Sequence, residues 1–347
     1  MNIQRKHSGS AFMLFLMIYY LFIAILLPVV VHSLRQFGLP VGIVFSPWFL
    51  IFTQLIGLLL PLGVWLAFKK ENLSIHLPHM KLGTSNLIYI FAISLFLQPA
   101  MMVISGLSSL LFPNDIAEML GGMMDYPLVV MLLAAAVTPA ICEELVFRGY
   151  IQSQYKHQPF KKAALINGLF FAMIHLNPQQ FVYAFVMGVI FAYMVHYTRS
   201  ILAAVLSHFL MNGSQVTLLF IGTRMQEMTA AMYPYAAPDT TEYTIIPFGD
   251  TELIISPEHA MIFAILFMGF VALLATPCAV ILFRSFISHN RARNIKYDMA
   301  QALIIEDVEP IEVELQMNSP RIFGILFDPY AVAVVVIFLI FILLIAL

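Results

Sequence analysis

The chain has 347 residues, of which 61% are hydrophobic and only 10% are charged. An ordinary soluble domain carries about a quarter charged residues, so this composition excludes a typical water-soluble fold. The formal net charge is −2. Such a small acidic balance gives no electrostatic basis for binding a nucleic acid.

Nine long apolar runs predict helices that cross a membrane, since a spanning helix needs about 20 consecutive apolar residues. The runs cover residues 12–33, 43–68, 85–112, 127–147, 162–176, 179–197, 201–221, 259–283 and 330–347. Because the run at 162–176 is short, we expect about eight or nine transmembrane helices. The predicted fold class is all-α and polytopic, with the catalytic groups on a central helix bundle.

The placement of lysine and arginine predicts the orientation. With the N terminus inside, all of the 17 lysines and arginines except Arg35 and Arg224 fall at inner loops or inner helix ends. That asymmetry follows the positive-inside rule. The sequence therefore predicts an integral multi-pass membrane protein with a cytoplasmic N terminus.

Three parts can be distinguished along the chain. Residues 1–112 form an N-terminal transmembrane scaffold with few polar groups, among them Gln54 and Gln98. Residues 127–221 hold almost every candidate functional group. Residues 222–347 add an outer loop, a further span, a cytoplasmic segment and a final span. In the outer loop, TEYTII and TELIIS flank PFGD, which predicts a β-hairpin.

The stretch PAICEELVFRGY concentrates three charges in this apolar chain. Glu144 and Arg148 are four residues apart on one helix face, with the acid first, which is the favourable order for an ion pair. Inside a membrane such a pair largely neutralises itself. Glu143 points about 100° away around the helix and keeps a free carboxylate. On this motif alone, a charged anchor at the membrane surface is an equally good interpretation.

Two later spans carry polar groups at helical spacing. FAMIH places Phe171 and His175 one turn apart, and SHFLMN places His208 and Asn212 one turn apart, so the members of each pair can point in one direction. Histidine inside a span is expensive and tends to face an interior cavity. We therefore expect these side chains and Glu143 to form one site.

Two kinds of chemistry use one glutamate, two histidines and an asparagine. Hydrolysis of an amide needs a base that activates water and N–H donors for the oxyanion. Glu143 with His175 can supply the first, and His208 with Asn212 the second. Alternatively, Glu143, His175 and His208 could bind zinc, because two histidines and a glutamate form an established catalytic zinc set. The spacing does not separate these alternatives.

Three motifs follow one another along these spans: EELVFR fits EExxxR, FAMIH fits FxxxH and HFLMN fits HxxxN. Together they resemble the CPBP family, which groups type II CAAX prenyl endopeptidases with bacteriocin-processing and immunity (Abi-like) proteins. The resemblance covers about residues 127–221. It implies a glutamate-dependent intramembrane endopeptidase with a metal-independent mechanism.

The resemblance also implies a role for each motif residue. Glu143 and His175 would activate the water, and His208 and Asn212 would form the oxyanion site. The residues that would support them are Glu144, Arg148 and Phe171.

Three functional hypotheses follow. The first is a protease that cuts membrane-associated substrates, prenylated CAAX-type proteins among them. The second is a non-catalytic bacteriocin self-immunity or scaffold protein. The third is a transporter with an ion path. Inverted repeats would favour this hypothesis, and the sequence shows none.

The expected partners and location follow from the leading hypothesis. We expect a membrane-associated protein or peptide substrate, the lipid bilayer of a prokaryotic cell membrane, and no nucleic acid. No cofactor is expected, with zinc bound by Glu143, His175 and His208 as the alternative. The sequence does not define the oligomeric state.

Overall fold

The protein is almost entirely helical in the computed structural model, which describes residues 8–37, 46–232, 244–248, 251–304 and 328–346. Ten helices occur in this described part of the chain, besides a short 3₁₀ turn at Leu73–Ile75. They are α1 (Ser8–Gln36), α2 (Pro47–Lys69), α3 (Thr84–Ser109), α4 (Asp115–Gly121), α5 (Leu128–Gln154), α6 (Phe160–Ile174), α7 (Pro178–Thr198), α8 (Ile201–Met232), α9 (Pro257–Ile304) and α10 (Pro329–Ala346).

Each predicted apolar run corresponds to one of these helices, which confirms the all-α polytopic fold class. Among the described residues, seven helices are long and apolar enough to cross a membrane: α1, α2, α3, α5, α7, α8 and α9. The other two predicted runs form α6 and α10. With 15 residues, α6 is only about 22 Å long, whereas the hydrocarbon core of a bilayer is about 30 Å thick.

The predicted β-hairpin is confirmed between α8 and α9. Strand β1 (Thr244–Phe248) pairs antiparallel with β2 (Thr251–Ile255), and Phe248 lies opposite Thr251. Side chains of these strands are outside the described part of the structure. The hairpin adds two short strands to a chain that is otherwise helical where it is described.

Loops from distant parts of the chain meet at each end of the bundle. At one end, the Met80 amide donates to the Arg199 carbonyl at 2.8 Å, and the Arg199 guanidinium binds Asp298 at 2.6 and 2.8 Å. At the other end, Asn177 donates to Asp115 at 3.1 Å. The loops predicted to be cytoplasmic thus lie together. Other predicted parts of that side lie outside the described residues: Arg5, Lys6, Arg321 and the acidic stretch 306–314.

Helices α6 and α7 cross closely because two glycines face each other. A Cβ atom on Gly188 would lie 2.8 Å from the Cα of Gly168, and one on Gly168 would lie 3.0 Å from the Phe185 carbonyl oxygen. Side chains larger than hydrogen would therefore force the helices apart. The close crossing also allows the Gly188 carbonyl to accept from Arg148 of α5 at 3.0 Å.

We expect Gly188→Ala to destabilise the protein, because the added methyl would press on backbone that cannot move aside cheaply. Overpacking of this kind costs about 1–3 kcal/mol. Gly222→Ala is the matched control, since a Cβ there meets no atom within 4 Å. Thermal unfolding in detergent micelles should show a lower Tm for the first variant only. Equal values of Tm would mean that the crossing is looser than the structure shows.

Candidate active site

Five of the seven predicted site residues line one cavity of about 160 Å³, which we refer to as the central cavity, whereas Glu144 and Arg148 do not line it. Glu143 comes from α5, His175 from the end of α6, and His208 and Asn212 from α8, while Phe171 of α6 lies between them. Most of the remaining wall is apolar and includes Leu50, Met101, Met119, Ala184 and Met187. The structure therefore brings together polar groups from three helices in apolar surroundings.

Glu143 lies between the two histidines. Its Oε2 atom is 4.0 Å from Nε2 of His175 and 3.9 Å from Nε2 of His208, and it has no hydrogen-bond partner among the described residues. Its Oε1 atom accepts from Nε2 of Gln54 in α2 at 3.3 Å. Since hydrogen-bonded atoms lie about 2.8 Å from a water oxygen, one water molecule can contact Glu143 and a histidine at these separations.

Each histidine is held through its Nδ1 atom. His175 Nδ1 donates to the Phe171 carbonyl at 2.7 Å, and His208 Nδ1 donates to Glu144 Oε1 at 2.9 Å. A carbonyl and a carboxylate can only accept, so these partners assign a proton to Nδ1 in both rings. The Nε2 atoms consequently face Glu143 and carry lone pairs when the rings are neutral.

Arg148 is buried, with 1% of its surface exposed, and its guanidinium group meets hydrogen-bond acceptors and aromatic rings, while its Nε atom has no hydrogen-bond partner among the described residues. Its Nη1 donates to Glu144 Oε1 at 3.0 Å and its Nη2 to the Gly188 carbonyl at 3.0 Å. The Phe171 ring centre lies 4.2 Å from Cζ, a distance at which cation–π attraction is strong. The predicted ion pair is therefore present and buried. Two more rings lie within 6 Å of Cζ, those of Phe147 and Phe191.

Asn212 is oriented by a distortion of α5. Its Nδ2 atom donates to the Ala135 carbonyl at 3.3 Å, and Ala135 belongs to a π-helical turn, Leu133–Val137. A second π-helical turn, Leu145–Ile151, follows Glu143 and Glu144, and Asn167 of α6 donates to a carbonyl in it at 2.7 Å. Such turns are frequent at functional sites. One N–H of the Asn212 amide remains for another acceptor.

The residue types of the site suit zinc better than their spacing does. Glu143, His175 and His208 form a known donor set, and the Nδ1 bonds resemble those that orient zinc-bound histidines. Ligand atoms around a tetrahedral zinc lie about 3.3 Å apart, which is closer than the observed 4.0 and 3.9 Å. In the described ranges, no group of three metal-binding side chains is placed to hold an ion. The spacing of these atoms is thus wider than that of a zinc-bound set.

A comparison with protein families identifies the part of the chain that carries this site. Residues 125–214 match the family model described as type II CAAX prenyl endopeptidase Rce1-like. Over this range, which we refer to as the Rce1-like domain, the chain is similar to that family. The match confirms the resemblance to the CPBP family, and the matched family is one of proteases. No curated protein and no solved structure matches the chain. The described residues include seven helices long and apolar enough to cross a membrane, and the protein is an integral membrane protein.

The Rce1-like domain does not supply every contact around Glu143. All motif residues lie within the matched range, whereas Gln54 lies outside it, in α2. The sequence identifies Gln54 as a rare polar group in an apolar run, but it does not predict the contact with Glu143. Asn167 is also missed, although an amide inside an apolar helix is the same kind of signal.

We expect Arg148→Met to destabilise the protein far more than Glu143→Gln does. Removal of Arg148 leaves the Glu144 carboxylate buried without its main counter-charge, which costs about 3–5 kcal/mol. Glu143→Gln keeps the side-chain volume and removes no ion pair with Arg148. Thermal unfolding of the two purified variants checks this expectation. Similar values of Tm would show that the Arg148 pair contributes little to the fold.

Proposed function

We propose that the protein is a glutamate-dependent intramembrane endopeptidase that hydrolyses peptide bonds of membrane-associated substrates. The observation that carries the proposal is the position of Glu143 Oε2, at 4.0 and 3.9 Å from the Nε2 atoms of His175 and His208. Asn212 lines the same cavity. A non-catalytic immunity or scaffold protein would gain nothing from placing these four groups together.

Glu143 and His175 would activate the water. A water molecule between them can donate one hydrogen to Glu143 Oε2 and the other to His175 Nε2, because the ring proton of His175 is on Nδ1. The lone pairs of the water then face a peptide carbonyl carbon in the central cavity. As the oxygen attacks, its proton passes to Glu143, which donates it to the leaving amine nitrogen.

His208 and Asn212 would stabilise the oxyanion. Asn212 uses one Nδ2–H for the Ala135 carbonyl and keeps the other. His208 can donate from Nε2 only when both ring nitrogens are protonated, because its Nδ1–H is bound to Glu144. The buried carboxylate of Glu144 is placed to stabilise that imidazolium cation. Preorganised donors of this kind are often the largest catalytic contribution in acyl transfer.

A second cavity, which we refer to as the apolar groove, supports a lipid-modified substrate. It has a volume of about 420 Å³, runs between α1 and α2, and reaches Glu143 and His175. Its walls are mostly hydrocarbon, including Tyr20, Ile23, Leu27, Phe49 and Phe52. A prenyl chain would bury apolar surface there. We propose that the groove takes the lipidated end of a CAAX-type substrate while the scissile bond lies in the central cavity.

The proposed setting is a prokaryotic cell membrane with the N terminus in the cytoplasm. The distribution of lysine and arginine along the chain supports this orientation. The loop that contains Met80, the turn at Arg199 and the end of α9 meet at one end of the bundle, as this orientation requires.

Glu143→Gln should abolish cleavage, because a general base contributes about 10²–10⁴-fold to the rate and Gln accepts no proton. The assay uses purified protein in liposomes and a quenched fluorescent peptide with a prenylated CAAX terminus. Glu118→Gln, in the first turn of α4 and exposed, is the matched control and should keep full activity. A Glu143→Gln variant with more than about 1% of wild-type activity would point to a different base.

Asn212→Ala distinguishes the oxyanion site from a zinc site. If Asn212 is an oxyanion donor, Asn212→Ala should lower kcat by about 10²–10³-fold, and His208→Ala should do the same. A zinc enzyme would lose its activity in the His208→Ala variant. It would keep its activity in the Asn212→Ala variant, because asparagine is a poor ligand for zinc. If the mechanism is independent of metal, the wild type should stay active after incubation with a chelator. Loss of activity with the chelator, and its return with zinc, would overturn that mechanism.

A further inference from the structure

Two glutamine side chains occupy the place where the central cavity meets the apolar groove. Five residues line both cavities: Gln54, Ile116, Glu143, His175 and Gln180. Glu143 and His175 have roles in the proposed hydrolysis, and Ile116 is apolar. Gln54 and Gln180 are therefore the polar side chains of this junction that the proposed chemistry leaves unused.

Gln180 is buried, yet its amide group is not used by the part of the protein that the structure describes. Only 5% of the residue is exposed, and its side chain makes no hydrogen bond to any described residue. Gln179 beside it uses its donor within the protein: its Nε2 contacts Ser105 Oγ at 2.9 Å and Ser109 Oγ at 3.1 Å. The amide atoms of Gln180 are not among the enclosed polar atoms without partners, so they are open to the two cavities that Gln180 lines. An amide in this position can bind a polar ligand.

The backbone that carries Gln180 is fixed before any ligand binds. Asn177 caps α7 by accepting from the amides of Gln179 and Gln180 at 2.8 and 3.3 Å. Pro178 occupies the first helical position, where its fixed φ favours the helix. Asn177 is itself bound to Asp115 of α4 at 3.1 Å. Such preorganisation lowers the entropy lost on binding.

Gln54 faces the junction from the opposite helix. Its Nε2 donates to Glu143 Oε1 at 3.3 Å, which uses one of its two N–H groups. Its Oε1 atom is buried and has no partner in the described part of the chain. Gln54 therefore still offers one donor and one acceptor beside the proposed base.

We infer that Gln54 and Gln180 bind the main chain of the substrate where it passes from the apolar groove into the central cavity. The inference rests on the proposed function. Inside a membrane, each N–H and C=O group of an extended peptide must find a partner. A glutamine amide offers both a donor and an acceptor, as a neighbouring strand would. Recognition of this kind reads the backbone and not the side chains of the substrate.

The first test measures binding and not turnover. The affinity of the prenylated peptide is determined by fluorescence anisotropy for Glu143→Gln protein, and for the same protein with Gln180→Met added. Loss of buried hydrogen bonds should weaken binding by about three- to tenfold. Gln179→Met is the matched control: it should lower Tm, because its contacts with Ser105 and Ser109 are lost, and leave the affinity unchanged.

The second test identifies the group that Gln180 contacts. A series of peptides replaces one backbone N–H at a time by an ester oxygen. One ester peptide should bind the protein that retains Gln180 about three- to tenfold more weakly than the parent peptide does. The affinity of that ester peptide should not fall further when Gln180→Met is added. In the active enzyme, Gln180→Met should raise KM and have little effect on kcat. Gln54→Met should change both, because it also touches Glu143.

The outcomes separate this inference from the proposed function. If the wild type cleaves the peptide and Gln180→Met changes neither affinity nor KM, the inference is wrong and the protease assignment stands. If Gln180→Met weakens every member of the ester series equally, Gln180 acts through packing and the inference is wrong as well. If the wild type binds the peptide without cleaving it, and one ester peptide shows the expected loss of affinity that depends on Gln180, the inference about binding is right and the protease assignment is wrong.

Discussion

Burial of the Arg148 charge inside an apolar bundle is the constraint on which the rest of the site depends. A buried charge without partners costs several kcal/mol, so the guanidinium needs partners from the helices around it. Glu144 meets it from α5, the Gly188 carbonyl from α7 and the Phe171 ring from α6. The same Glu144 oxygen accepts from His208 of α8. One cation thus fixes four helices, and with them the groups proposed to act on the substrate.

The two adjacent glutamates differ because a helix turns about 100° per residue. Glu144 faces the bundle interior, where Arg148 and His208 both donate to one of its oxygens. Glu143 faces the cavities, where its contacts are the Gln54 amide and two imidazole nitrogens at about 4 Å. Glu144 therefore compensates positive charge, whereas Glu143 keeps an oxygen that can accept a proton from water.

The parts of the structure that local spacing determines could be predicted from the sequence. The helices follow from apolar runs, and the Glu144–Arg148 pair follows from its i,i+4 spacing. The π-helical turns of α5 could not be predicted, because one extra residue in a turn leaves an apolar pattern unchanged while it rotates all that follows. The contact between Gln54 and Glu143 could not be predicted either, because it depends on how α2 packs against α5. The 15-residue length of α6 could be predicted, because the apolar run 162–176 has the same length.

The polar atoms without partners near the site can be weighed against amides elsewhere in the described bundle. Asn86 and Asn290 satisfy each other across α3 and α9 at 3.1 and 2.8 Å. Other amides of the bundle, such as Gln98 and Asn167, keep buried oxygens without partners among the described residues, as Gln54 does. Gln54 and Gln180 differ from these amides because they line both cavities. An apolar side chain of the same volume would avoid the desolvation penalty of the Gln54 oxygen, so stability alone favours methionine at that position. A polar ligand that carries its own N–H groups removes the penalty, and the main chain of a substrate is such a ligand.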